Sequence, residues 1–226
     1  MANQDDSFIR EVNEELRSDR MKDAWRRFGR YLIAAAVLLV VGTAGWRGYE
    51  YWQAREAAQS GDVFLTALNQ IEAGDLDAAE KTLAELESEG HGSYPVLAEL
   101  RSATLLSEAG DTAAAVSAFS TIGKDRSVPE AIRDAAKLRA GWLLVDTGTY
   151  EQVSAEVEEL ANDGNPFRFS AREILGLSAY AHQDYARAQE WFEDVANDPE
   201  APRNVLNRAQ ILLEVMTANG EIQDAG

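Results

Sequence analysis

Residues 67–86 read ALNQIEAGDLDAAEKTLAEL, and residues 103–122 read ATLLSEAGDTAAAVSAFSTI. Aligned on Gly74 and Gly110, the two stretches agree at four registers. A small residue stands seven positions before the glycine (Ala67, Ala103) and another five after it (Ala79, Ala115). Large apolar residues stand nine and twelve after it (Leu83 and Leu86; Phe119 and Ile122). The pattern returns on Gly148-Thr149-Tyr150, with Gly141, Val153, Val157 and Leu160, and on Gln183-Asp184-Tyr185, with Gly176, Ala188, Phe192 and Val195. Successive turns are 36, 38 and 35 residues apart, the period of a helix–turn–helix solenoid. Each register has a physical reason. Glycine or a polar residue suits a chain reversal at positive φ. Small residues let paired helices approach, and the larger apolar side chains fill the gap to the next pair.

The spacing predicts helix pairs over 60–73 with 75–89, 95–109 with 111–123, 130–147 with 149–162, and 168–181 with 184–197. Pro129, Pro166 and Pro199 fall where the second helices should stop. A ninth helix over 203–218 carries Val205, Ala209, Leu212, Leu213 and Met216, which can cover the last open face of the array. Residues 219–226 read as a flexible tail. The expected fold class is all-α.

Upstream, Tyr31 to Trp46 reads YLIAAAVLLVVGTAGW, sixteen positions without a charge. As a helix this spans ~24 Å, and flanking Arg30 and Arg47 can extend it towards a hydrocarbon core of about 30 Å. Trp25, Tyr31, Trp46, Tyr49, Tyr51 and Trp52 suit the two interfaces. The sequence predicts a transmembrane helix over 30–52, in contact with membrane lipid. A buried core helix and a cleaved signal peptide, with Gly42 and Ala44 near its cleavage site, are the rivals. Arg17, Arg20, Lys22, Arg26, Arg27 and Arg30 precede the span, whereas only Arg47 and Arg55 follow closely, so the N-terminus should stay cytoplasmic. Residues 1–29 form a leader in which Phe8, Ile9, Val12 and Leu16 recur as one face of an amphipathic helix, suited to a lipid surface or to a partner. The repeat ectodomain then covers 53–218.

Charge separates these parts. Residues 1–60 carry nine basic and nine acidic side chains. Residues 61–226 carry 12 basic and 30 acidic ones, and with them the entire net charge of −18. Such a domain repels phosphate backbones, which argues against a nucleic-acid partner. The chain has no cysteine, so a disulfide framework, a thiolate metal site and a catalytic thiol are excluded.

The repeats resemble the tetratricopeptide family, whose arrays are right-handed α-solenoids. Val153, Thr149 and Gln183 depart from its fuller pattern. The whole layout is similar to the YfgM-type ancillary subunits of the bacterial Sec translocon and their tetratricopeptide-like relatives in alphaproteobacteria. The residues that carry the likeness are FIREVNEELRSDRMKDAWRRFGRYLIAAA (Phe8 to Ala36), the continuation GWRGYEYWQ, and RAQILLEV (Arg208 to Val215). The resemblance implies an inner-membrane anchor, a periplasmic repeat domain, and contact with the translocon, periplasmic chaperones and exported polypeptides. A scaffold for wall-synthesis or division proteins is the alternative.

No catalytic set is legible, and no cofactor or small-molecule substrate is expected. His91 and His182 are some ninety residues apart, each beside a predicted turn, and read as surface residues. There is no glycine-rich phosphate loop and no Gly-x-Ser-x-Gly elbow. Two residues before the turns stand Glu72, Glu108, Asp146 and Ala181. Carboxylates at the ends of first helices oppose the helix dipole at about 0.3–1 kcal/mol each. They mark either a retained function or the general acidity of the domain. Leu68, Ile71, Trp142, Val145, Leu177 and Tyr180 lie three and six positions before the turns. First helices line the concave face of such solenoids, so these residues would make an acidic, partly aromatic groove suited to basic or amphipathic peptides. Ordinary core packing is the other reading of Trp142. Gly42 and Gly45 would let a neighbouring helix approach the span.

Overall fold

A computed structural model describes residues 2–223, with side chains from Trp25 onward. The face expected from Phe8, Ile9, Val12 and Leu16, and the last three residues, lie outside what it describes. Among the described residues there is no strand. The helices are α1 (Ala2–Glu72), α2 (Leu76–Glu89), α3 (Tyr94–Glu108), α4 (Thr112–Lys124), α5 (Glu130–Thr147), α6 (Tyr150–Val157), α7 (Arg168–Ala181), α8 (Tyr185–Ala196) and α9 (Arg203–Ala218). The chain divides into two units, residues 1–58 and 59–226.

Leader, span and first repeat helix, which the sequence separates by composition, belong to a single helix, α1. The first proline of the chain is Pro95, so nothing before it removes a helical N–H or clashes with a preceding carbonyl. Within the first unit, the apolar window of α1 is long enough to cross a membrane, and only 6% of it is buried. A soluble core helix would hide that surface. The hydroxyl of Thr43 donates to the Leu39 carbonyl at 2.7 Å, so it needs no water inside an apolar stretch. Trp46 Nε1 donates to Glu50 at 2.8 Å, and the Arg30 guanidinium lies 4.9 Å from the Tyr31 ring centre.

In the second unit, helices pair in chain order. The sixteen residues at the four small and apolar registers are all buried: Ala67, Ala79, Leu83 and Leu86 in the first pair, Phe192 and Val195 in the last. Gly141 and Gly176 show why the small position matters. A Cβ on Gly141 would stand 2.5 Å from Val157 Cγ1, and one on Gly176 would stand 2.5 Å from the Phe192 ring. Four apolar clusters follow one another along the array, the last formed around Phe169, Phe192, Val205 and Met216.

Three of the four turns share one geometry. Gly74, Gly110 and Gln183 take φ of 79°, 87° and 63°. At each, the N–H of the following aspartate reaches back to the carbonyl five residues earlier, closing a Schellman turn. Asp75, Asp111 and Asp184 then cap the next helix by accepting from Ala78, Ala114 and Arg187. The third turn differs. Gly148 is extended, and Thr149 with Gln152 forms a reciprocal capping box.

The second helix of that pair is also shorter than its pattern predicts. The α-helix stops at Val157 and tightens into a 3-10 turn over Glu158–Ala161. The tighter winding still buries Leu160, and the freed Ala161 carbonyl accepts from Arg172 Nε at 3.0 Å. After α9 the chain turns once more at Gly220, with φ of 72°, and Ile222 packs against the last cluster.

Candidate protein-interaction surface

Glu72 and Asp146 are exposed at the ends of their helices, with no cation within ion-pair distance among the described residues. Glu108 occupies the same register and faces Arg101 of its own helix at 3.4 Å. The cation offsets part of the unfavourable alignment with the α3 dipole. The acids therefore stand at one register of three successive first helices, and two of the three are unmatched.

The apolar positions divide. Trp142 is 40% exposed and belongs to none of the four clusters, so its indole is a surface group. Leu68 is half-buried. Ile71 packs against the first cluster, and Val145 against the third hairpin's cluster. Leu177 and Tyr180 pack against the last one, where the Tyr180 ring meets Tyr185 edge-on at 5.7 Å. Ile71 and Tyr180 thus share their surface between core and solvent, and Trp142 stands free of the core. Leu65, nine positions before the first turn, is 58% exposed and was not singled out by the sequence pattern. That register holds Leu65, Arg101, Arg139 and Ile174, too varied to signal a surface.

His91 and His182 are both exposed. His182 Nδ1 lies 2.8 Å from the Ser178 carbonyl, and the His91 backbone N–H donates to Ser60 Oγ at 2.9 Å. Among the described residues, no group of three His, Cys, Asp or Glu is disposed to hold a metal ion.

Polar links run between hairpins instead. Ser120 donates to Glu156 at 2.7 Å and accepts from Lys124 at 2.6 Å, joining α4 to α6. Trp191 Nε1 donates to the Tyr150 hydroxyl at 3.0 Å, joining α8 to α6. Glu173 of α7 is 3% exposed, and both its oxygens accept from Arg208 of α9: Nη2 at 2.7 Å, and Nε. This bidentate pair holds the terminal helix. Its two residues fall 35 positions apart, and no local pattern links them.

A scaffold of this kind offers surface, and the comparisons with known proteins agree with it. A curated protein described as "Ancillary SecYEG translocon subunit", from Haemophilus influenzae (strain ATCC 51907 / DSM 11121 / KW20 / Rd), is 23% identical over 184 residues. The match covers 80% of this chain and 88% of that protein. No solved structure matches significantly. The model of the tetratricopeptide repeat-like domain family matches residues 22–209, spanning most of α1 and running into α9. By that match, and by the stacked hairpins it describes, the chain belongs to the tetratricopeptide repeat-like domain family.

Proposed function

We propose that this chain is a non-enzymatic, membrane-anchored adaptor at the protein-export site. In this reading α1 crosses the inner membrane with its N-terminus in the cytoplasm, and the acidic hairpins lie in the periplasm. There they link the translocon to chaperones or to exported polypeptides. The likeness to an ancillary translocon subunit carries the proposal, because it covers 80% of this chain and 88% of that protein, and the exposed apolar helix supports the anchor. The basic residues ahead of the span support the orientation. The row of Glu72, Glu108 and Asp146 with the free indole of Trp142 supports capture of basic or amphipathic segments, since aromatic anchors beside charge are the usual composition of binding hot spots.

The test is a triple charge reversal, Glu72→Lys, Glu108→Lys and Asp146→Lys, in the full chain. Translocon subunits and periplasmic chaperones should crosslink to the wild type in intact membranes and much less to the variant, at unchanged helicity. Adducts confined to wall-synthesis proteins would remove this reading, and equal translocon adducts in both chains would remove the acidic row from it. A C-terminal tag reached only from the cytoplasm would overturn the orientation.

A further inference from the structure

A second surface lies away from the acidic row. Between α2 and α4, with α3 as its floor, runs an open trough of about 370 Å³. Its floor is apolar, formed by Ala103 and Leu106 of α3 with Ala118 and Ile122 of α4. Its rim carries three carboxylates, Glu87, Glu99 and Asp125, and two hydroxyls, Ser102 and Thr121. The trough and the row belong to different sides of α3. Glu99 and Glu108 are nine residues apart, which at about 100° per residue sets them half a turn from each other.

None of the nine residues lining the trough is basic. Lys124, next to Asp125 in sequence, is engaged by Ser120 and Glu156. Arg133 acts on Asp125 from outside the lining and donates to the Val128 carbonyl at 3.2 Å. Glu87 accepts one hydrogen bond, from Ser102 at 2.6 Å. The Glu99 carboxyl is pushed above its ordinary value by burial, then by the negative charges of Glu87 and Asp125. Glu87 and Asp125 therefore both act on Glu99 across the trough.

We infer that this trough is a docking site for a basic amphipathic polypeptide segment, separate from the acidic row and independent of its role. The floor takes aliphatic side chains, and the rim takes lysine or arginine heads. Such residues lay their methylene stems on apolar surface while the charge stays at the edge. The volume is at the low end of the range of about 300–1,000 Å³ for ligand sites, room for a few side chains. An open channel between helices suits side chains projecting from a chain better than an enclosed small molecule. Charge complementarity selects the sign of the partner and speeds its encounter.

The probe is a fluorescein-labelled 14-residue leucine–lysine amphipathic peptide, with a leucine–glutamate peptide as counterpart. Anisotropy is read with the full chain in phosphatidylcholine nanodiscs, so that the lipid carries no net charge. The lysine peptide should bind and the glutamate peptide should not. Glu87→Gln with Glu99→Gln should weaken binding at least fivefold. Glu85→Gln with Glu89→Gln removes the same charge from exposed positions of α2 outside the trough and should change it less than twofold. Thr121→Trp, filling the trough from an exposed position, should abolish binding, with helicity checked by circular dichroism. Equal weakening in the two double variants would reduce the effect to the net charge of −18 and overturn the site. So would an unchanged affinity in the Glu87/Glu99 variant, retained binding by Thr121→Trp, or failure of the wild type to bind.

Discussion

Arg208→Ala should loosen α9 selectively. Glu173 is nearly inaccessible, and Arg208 meets both of its oxygens. Removing one partner of a buried pair costs about 3–5 kcal/mol, because an uncompensated charge stays behind. Arg208 is itself half exposed, so water admitted through its vacated place would partly solvate the carboxylate. The value worked for this site is therefore about 2–3 kcal/mol. In a hairpin array each unit is stabilised mainly by its neighbours, so the loss should stay near α9. At 1.4 kcal/mol per factor of ten, amides of residues 203–218 should exchange roughly 30–150 times faster. Amides of residues 112–124 should change by less than about twofold. Hydrogen exchange read by mass spectrometry on the detergent-solubilised chain resolves both segments. Glu173→Met combined with Arg208→Met should recover most of the protection, since an apolar pair of similar size leaves no buried charge. Unaltered exchange over 203–218 in Arg208→Ala, or a double variant as loose as the single one, would refute the assignment of this pair as the clamp on the terminal helix.

Gly176→Ala sets a methyl 2.5 Å from the Phe192 ring, an overpacking worth about 1–3 kcal/mol. Its melting temperature should fall by about 2–4 °C per kcal/mol, and an unshifted transition would show that the helices can separate at no cost. Gln183→Gly relieves the one described non-glycine residue at positive φ and should raise stability by about 1 kcal/mol. A lower melting temperature would mean that the Gln183 side chain contributes more than its backbone conformation costs.

The repeat was legible because each register answers a steric demand. Gly141 and Gly176 stand where a Cβ would collide, and Leu83, Phe119, Val157 and Phe192 are buried to 3% exposure or less. Gln183 was legible as a turn by position alone, and its positive φ came from Asp184 being held in the same cap as Asp75 and Asp111. The early stop of α6 left no such mark, since Glu158 to Ala161 continues a helical pattern and only its winding changes. The continuity of α1 was written in the absence of proline, which composition shifts between leader, span and repeat obscured. Trp142 illustrates the limit at the surface. The same periodicity places an aromatic in the core or beside it, and only three-dimensional packing decided for the outside. The trough was beyond reach because Glu87 and Glu99 come from two helices and Asp125 from the loop after a third, and they share no spacing.

The turn at Gly220 closes α9 with the bonds that close the first, second and fourth hairpins, Gly220 to Thr217 and Glu221 to Met216. The terminal helix thus has the ending of an opening helix, and it offers to a newcomer the connection that three of the four earlier pairs make to their own second half. Units built on one shared internal turn can be duplicated, exchanged or dropped without redesign of that turn in those that remain. Variation in array length therefore requires no new kind of joint, and each added unit contributes its own share of recognition surface.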